Sequence, residues 1–317
     1  MLKRKYYCPA EAASLLESVR NRLLRKPVPA FPRTIAVETQ SGCNARCVFC
    51  SYTSLRNELP MGRMEMALFE KLARECAGRK VERFILCLDN EPLLDPDLAE
   101  RFLLLRKYCP RSARNLTTNA SLLTREKIEE LAGSGAVNEI FLSVNGFSKE
   151  VYEELMGLPF EQTMANLYGL SAWLREHPRQ ARRLRVQVNV VKTRRVAPEL
   201  APMRRRWQEE AGFRLHVIDL DNRGNQVDLR GFRALQADDA DLKPYRACRR
   251  PCHTLVITWE GKAVLCCVDY RREVVLGDLV KQSLAEIWNG PRAVQLRREF
   301  LAGDFTNLAL CRRCRVN

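Results

Sequence analysis

Residues 41–52 read Ser-Gly-Cys-Asn-Ala-Arg-Cys-Val-Phe-Cys-Ser-Tyr, directly after the strand-like run Thr34 to Thr39. Cys43, Cys47 and Cys50 stand in the order C-x3-C-x2-C. Three thiolates on a short loop can hold three irons of a [4Fe–4S] cube, because such clusters are ligated by cysteine and this spacing lets a loop wrap one face. One iron then lacks a protein ligand. That open position can take a small molecule by its amino and carboxylate groups. A zinc site would be closed by a fourth Cys or His nearby, and the first histidine of the chain is His177.

Outward from this loop, strand-like runs alternate with helix-like ones: Thr34 to Thr39, Arg83 to Leu88, Arg114 to Thr118, Glu139 to Val144, Leu184 to Val191 and Phe213 to Leu220. That alternation predicts a parallel sheet with crossover helices. Thr124 is placed to cap a helix running to Leu131 with Gly133 after its end, and Ser148 to cap Lys149 to Met156 before Gly157. Ahead of the core, a helix from about Glu11 to Lys26 is followed by the breakers Pro27, Pro29 and Pro32. Past residue 230 the texture changes, with a hairpin-like stretch around Glu260-Gly261 and a helix near Leu284 to Asn289. The expected organisation is a leader over 1–32, an α/β core over 33–230 and a smaller domain over 231–317.

The whole chain has 317 residues, 46% of them apolar and 29% charged, which excludes a disordered tail or a collagen-like repeat. No run reaches the length of a membrane span, and no apolar signal core follows the N-terminus, so a cytoplasmic protein with no membrane partner is expected. The net charge of +15 fits an anionic substrate, an acidic electron donor of the flavodoxin or ferredoxin type, or a solvated basic surface. Its basic residues come in short groups without an RNA-binding signature, so no nucleic-acid partner is expected. Thirteen cysteines are many for such a chain. In a reducing compartment they point to metal or redox chemistry.

Three further segments sit where strands stop, which is where parallel α/β arrays bind ligands: Asp89-Asn90-Glu91-Pro92, Thr117-Thr118-Asn119-Ala120 and Ser143-Val144-Asn145-Gly146. With the three-cysteine loop and its aromatic Phe49, they resemble the motifs of radical S-adenosylmethionine (SAM) enzymes. The resemblance implies a partial (β/α)6 barrel. Asp89 to Pro92 is similar to the family's Gly-Glu-Pro segment, with Asn90 in place of Gly, and implies that Glu91 meets the SAM amino group. Asn119, and Ser143 with Asn145, are implied around the cofactor, the latter pair at the ribose. Local chemistry offers other roles: a helix N-terminal carboxylate for Glu91 and turn chemistry for Ser143 and Asn145.

Toward the C-terminus, Cys248, Gly261 and Cys266 form C-x12-G-x4-C, and Cys311 with Cys314 forms C-x2-C. Spacing alone suits a tetrahedral zinc or an iron–sulfur cluster. The stretch from Cys248 to Asp269, with Gly277-Asp278-Leu279, Ile287-Trp288-Asn289, the C-terminal pair and the lead-in Asn222-Arg223-Gly224, resembles a SPASM/twitch-type domain. That implies one auxiliary [4Fe–4S] cluster, hence two clusters and SAM as cofactors. Cys252 could replace Cys248 as a ligand. Cys252 and Cys267 lie beside cluster segments and are candidate hydrogen donors, while Cys76 and Cys109 read as core residues.

The resemblance implies a 5′-deoxyadenosyl radical that removes hydrogen from an unactivated carbon of a small-molecule or peptide substrate, either a peptide or a sugar- or aminoglycoside-type natural product. Epimerisation with a cysteine hydrogen donor is the expected outcome; oxidation through the auxiliary cluster and peptide cross-linking are the alternatives. A cationic aminoglycoside would need carboxylates such as Asp89, Asp95, Asp219 or Asp221.

Overall fold

The computed structural model describes residues 28–222, 224, 235–236, 243–244 and 248–316. The expected leader helix lies outside these residues. Strands β1 (Thr34–Val37), β2 (Arg83–Ile85), β3 (Ala113–Thr118), β4 (Glu139–Ser143), β5 (Arg185–Lys192) and β6 (Arg214–Asp219) pair parallel in chain order. All six coincide with the strands expected from sequence, within a few residues at their ends. A short β7 (Lys243–Pro244) pairs antiparallel with β11 (Arg315–Val316).

Alternation along each strand separates two faces. Ile35, Val37, Phe84, Leu116, Ile140, Leu142, Val188 and Val190 join the main apolar core, together with Phe69 and Leu72 of the helix Met66–Glu75, Phe102 and Leu105 of the helix Leu98–Tyr108, and Leu167, Leu170 and Trp173 of the helix Phe160–Glu176. The opposite face is concave. Arg83 on β2 reaches past β3 to pair with Glu139 on β4 at 2.8 Å and to lie over the Phe141 ring.

The caps at Thr124 and Ser148 form as expected, each side chain accepting from a backbone N–H three residues on, and Gly157 closes its helix at φ 62°. Gly133 differs. The helix widens into a π-turn over Glu129–Gly133, and the left-handed residue is Gly135 at φ 69°.

The C-terminal hairpin extends this sheet. β8 (Thr254–Ile257) pairs parallel with β1, then β9 (Lys262–Val264) and β10 (Val275–Asp278) follow antiparallel, giving the order β10-β9-β8-β1-β2-β3-β4-β5-β6. The turn between β8 and β9 uses Gly261 at φ 87°. One sheet therefore carries the three-cysteine loop, after β1, and the hairpin that bears Cys266. Among the described residues no helix is long and apolar enough to cross a membrane.

Candidate active site

The loop after β1 is pinned from both sides. Gln40 donates its Nε2 to the carbonyls of Glu91 at 2.7 Å and Gly42 at 2.9 Å, and Glu91 N donates to Gly42 O at 2.8 Å. Farther along, Arg46 N and Val48 N donate to Met156 O and Leu155 O, while Cys47 Sγ lies 3.6 Å from Met156 Sδ. Phe49 is buried in the main core and anchors the loop between Cys47 and Cys50. Burial pushes the Cys43 thiol up to about 12, partly offset by the Ala45 N–H, with the nearby Glu91 and Cys50 adding to the rise. A cationic iron group is what such a crowded set of thiols would need to ionise.

Glu91 ties two strand ends together. Its carboxylate accepts from Thr118 Oγ1 at 2.6 Å, Asn119 N at 2.8 Å and Leu93 N at 3.1 Å, the last capping the turn Pro92–Leu94. Burial raises its pKa to about 6 against these three donors. Asn119 donates to Asn44 Oδ1 at 2.8 Å, and Asn44 donates to Ser121 Oγ at 2.9 Å, which joins the tip of β3 to the residue beside Cys43. Ala120, after Asn119 at the end of β3, adopts a left-handed φ of 65°. Asn145 accepts from Val191 N at 2.7 Å and its amide lies 3.0 Å from Met156 Sδ. Ser143, half-buried on the concave face, is paired in register with Asn189.

Sequence reasoning missed Gln40, Asn44 and Ser121, whose partners are distant in the chain. It also left Cys87 unassigned. The Cys87 thiol is close enough to Glu91 and Cys43 for their charges to add to the rise that burial imposes on it.

The thiols of the second set lie near enough for their charges to act on one another. Cys248, pushed up to about 11 chiefly by burial, feels Cys314 and Cys267; Cys311, pushed up to about 12 by burial, feels Cys248 and Cys314; Cys266 is hydrogen-bonded to Cys267 and also feels Cys248. An apolar cluster of Leu265, Cys266, Val268, Tyr270 and Leu310 packs on Leu55, in the helix that follows Cys50. Asn222 Nδ2 donates to Arg313 O at 2.8 Å, which ties the lead-in to the C-terminal pair. Cys267 packs with Ala36, Ile85, Val256 and Val264 on the concave face.

Cys252 is buried in the turn Arg250–His253 before β8, with Arg249 and Arg297 as charged neighbours. Arg297 stacks on Trp288 and donates to its carbonyl.

Buried polar atoms without partners occur beside the first site, as they do elsewhere in the molecule. Thr39 Oγ1, Ser51 Oγ and Asn90 Nδ2 are buried and make no hydrogen bond. Buried polar groups are rarely left so unless a ligand or ion serves them. Among the described residues no three His, Cys, Asp or Glu side chains are gathered as a single metal ion requires. The soft thiol donors of the three-cysteine loop, and of Cys248, Cys266, Cys311 and Cys314, are the kind that iron–sulfur clusters take.

Comparison with known families matches residues 37–172 to the Radical SAM superfamily and residues 248–315 to SPASM, an iron–sulfur cluster-binding domain. The chain carries a radical SAM domain followed by a SPASM iron–sulfur domain. Iron–sulfur clusters and SAM are accordingly its cofactors, two clusters being implied by the two matched domains. This radical SAM chain is 33% identical over 141 residues to an AdoMet-dependent heme synthase of Methanosarcina barkeri (strain Fusaro / DSM 804), a match covering 43% of the chain but only 38% of that relative. It is 23% identical over 288 residues to an S-adenosyl-L-methionine-dependent 2-deoxy-scyllo-inosamine dehydrogenase of Niallia circulans, covering 88% of the chain and 91% of the relative. Among solved structures, BtrN in complex with AdoMet and 2-DOIA aligns with TM-score 0.60 and 19% identity over 90% of this chain and 93% of its own. SuiB of Streptococcus suis bound to precursor peptide SuiA aligns with TM-score 0.64 and 15% identity, over 89% and 71%. At these identities the structures attest the fold.

Proposed function

We propose that this radical SAM enzyme removes a hydrogen atom from an unactivated carbon of a small polar molecule and completes a two-electron oxidation through a second cluster. Cys43, Cys47 and Cys50 would hold the SAM-binding cluster, and Cys248, Cys266, Cys311 and Cys314 the second, in a C-terminal unit over 231–317. When bound, the reduced first cluster with SAM supplies one-electron chemistry strong enough to break a C–H bond. Everything else is positioning. Glu91 and Asn119 hold the tips of β2 and β3 in fixed relation, Phe49 anchors the loop, and Ser143 and Asn145 present polar atoms at the tip of β4.

The observation that carries the reading is the packing of the loop with Cys266 and Cys267 against Ala36, Ile85 and Val256 on the concave face. It supports a second thiolate site beside the barrel interior, where an electron can be collected as the substrate gives up hydrogen from carbon and a proton from oxygen. Likeness to a dehydrogenase over nearly its whole length supports the same outcome. The placement of Cys267 favours a second reading, epimerisation, in which its thiol returns a hydrogen atom to the opposite face. The first cluster's reducing electron would come from a flavodoxin- or ferredoxin-type donor.

Turnover of a panel of polyols, aminocyclitols and peptides by anaerobically reconstituted enzyme in deuterated water separates the outcomes. Oxidation gives a product two hydrogens lighter without solvent label. A deuterium at an inverted carbon, lost in Cys267→Ala, establishes epimerisation and refutes the oxidation.

A further inference from the structure

The loop between β9 and β10, residues 265–274, carries Cys266 and Cys267 and ends in a sharp reversal. Arg272 there adopts φ 55°, a left-handed conformation that a side chain with a Cβ rarely takes. Its N–H donates to Asp269 O at 3.0 Å, and the Asp269 carboxylate in turn accepts from Glu273 N and Val274 N, so the reversal is closed by its own hydrogen bonds.

The guanidinium leaves the loop altogether. One nitrogen donates to Glu38 Oε2 at 2.9 Å, and another pairs with Glu260 in the turn between β8 and β9. Glu38 is the residue that follows β1, fully buried, and its Oε2 also accepts from Trp259 N at 3.2 Å. The arginine is itself 12% exposed. A neighbouring pair, Arg271 with Glu58, is solvent-exposed on both sides and adds little.

We propose that Arg272 is a positioning residue: its strained backbone aims a largely covered guanidinium at Glu38 and Glu260, locking the loop that bears Cys266 and Cys267 to the strand that launches the three-cysteine loop. This rests on the reading of the two cysteine sets as cluster sites. The clamp holds the second cluster in fixed relation to the barrel mouth and to the first. A left-handed arginine here serves the reach of its side chain, since glycine would satisfy the backbone alone.

Arg272→Gly therefore separates the two contributions, and Arg272→Gln and Arg272→Lys test the charge. In anaerobically reconstituted full-length protein, Arg272→Gly and Arg272→Gln are expected to change the paramagnetic line shape and midpoint potential of the second cluster, or to lose about four of about eight irons. The SAM-dependent change in the first cluster's signal stays, and Arg272→Lys recovers part of the wild-type signature. Second-cluster spectra and potentials equal to wild type in both Gly and Gln variants overturn the proposal. So does joint loss of both clusters with a collapse of the melting transition, which marks general stability as the role. A wild-type chain that takes up only about four irons refutes the cluster reading itself, and needs no variant to show it.

Discussion

Replacing Glu38 by glutamine is expected to stabilise the protein at alkaline pH even though it removes a buried ion pair. Burial raises the Glu38 carboxyl from 4.5 to about 6, outweighing the attraction of Arg272 and the Trp259 N–H. At about 1.4 kcal/mol per tenfold change in proton affinity, that rise corresponds to about 2 kcal/mol. Below the ordinary carboxylate value Glu38 is protonated in folded and unfolded chains alike, and nothing is lost. As pH climbs through the folded value the native state must carry a buried anion, and stability falls by that amount. Glutamine resembles the protonated form and keeps an oxygen for Arg272 and Trp259 N. Urea unfolding at about pH 8 should therefore find Glu38→Gln about 2 kcal/mol more stable than wild type, with the gap closing toward about pH 5. A variant destabilised by 1 kcal/mol or more at about pH 8 would refute the argument and show that the Arg272 pairing outweighs desolvation.

Three more outcomes follow from other parts of the molecule. Gly146 has φ 142°, and a Cβ there would lie 2.5 Å from Tyr152 N and 2.7 Å from its Cα, both backbone, so Gly146→Ala should cost on the order of 3 kcal/mol in a thermal melt; a melt unchanged from wild type contradicts the tight turn after β4. Iron counting on reconstituted protein should fall from about eight to about four in Cys248→Ala and stay at about eight in Cys252→Ala, whereas the reverse pattern would exchange their roles. Arg101 and Asp95 are fully buried and paired at 2.9 Å; Arg101→Ala leaves a carboxylate uncompensated and should destabilise by about 3–5 kcal/mol in urea, with a loss under 1 kcal/mol counting against a native ion pair there.

The six parallel strands were legible because each is a strand-sized stretch between turn or helix signals, most with apolar residues at every second place, and the caps at Thr124 and Ser148 because they are local devices read within one turn. Cysteine spacing made both thiol sets legible for the same reason. What escaped the sequence is long-range. Gln40, Asn44 and Ser121 look like ordinary loop residues until Glu91, Asn119 and their backbones are brought beside them. Gly133 was the wrong glycine, since the helix takes an extra-wide turn and defers its left-handed residue to Gly135. Cys252 and Cys267 both lie next to cluster segments in sequence. Which faces the barrel depends on where the hairpin docks, and no local pattern records that.

Docking of β8 against β1 is the step that brings the loop with Cys266 and Cys267 onto the strand that launches the three-cysteine loop. β1 is only four residues long, yet it pairs with β2 on one side and β8 on the other, so its two faces are set by its neighbours as much as by itself. Ile35 and Val37 point into the helix-backed core, which leaves Ala36 and then Glu38 for the concave side. Ala36 is small enough for the Cys267 loop to settle on it, and Glu38 supplies the anion that receives Arg272 from the same loop. A one-residue slip of β8 or β1 would exchange these faces and bring the apolar pair under the loop. Register at this single strand thus carries both the apolar seat and the charged clamp of the second thiol set, which is why the chemistry assigned to that set depends on β1 more than on the cysteines' own spacing.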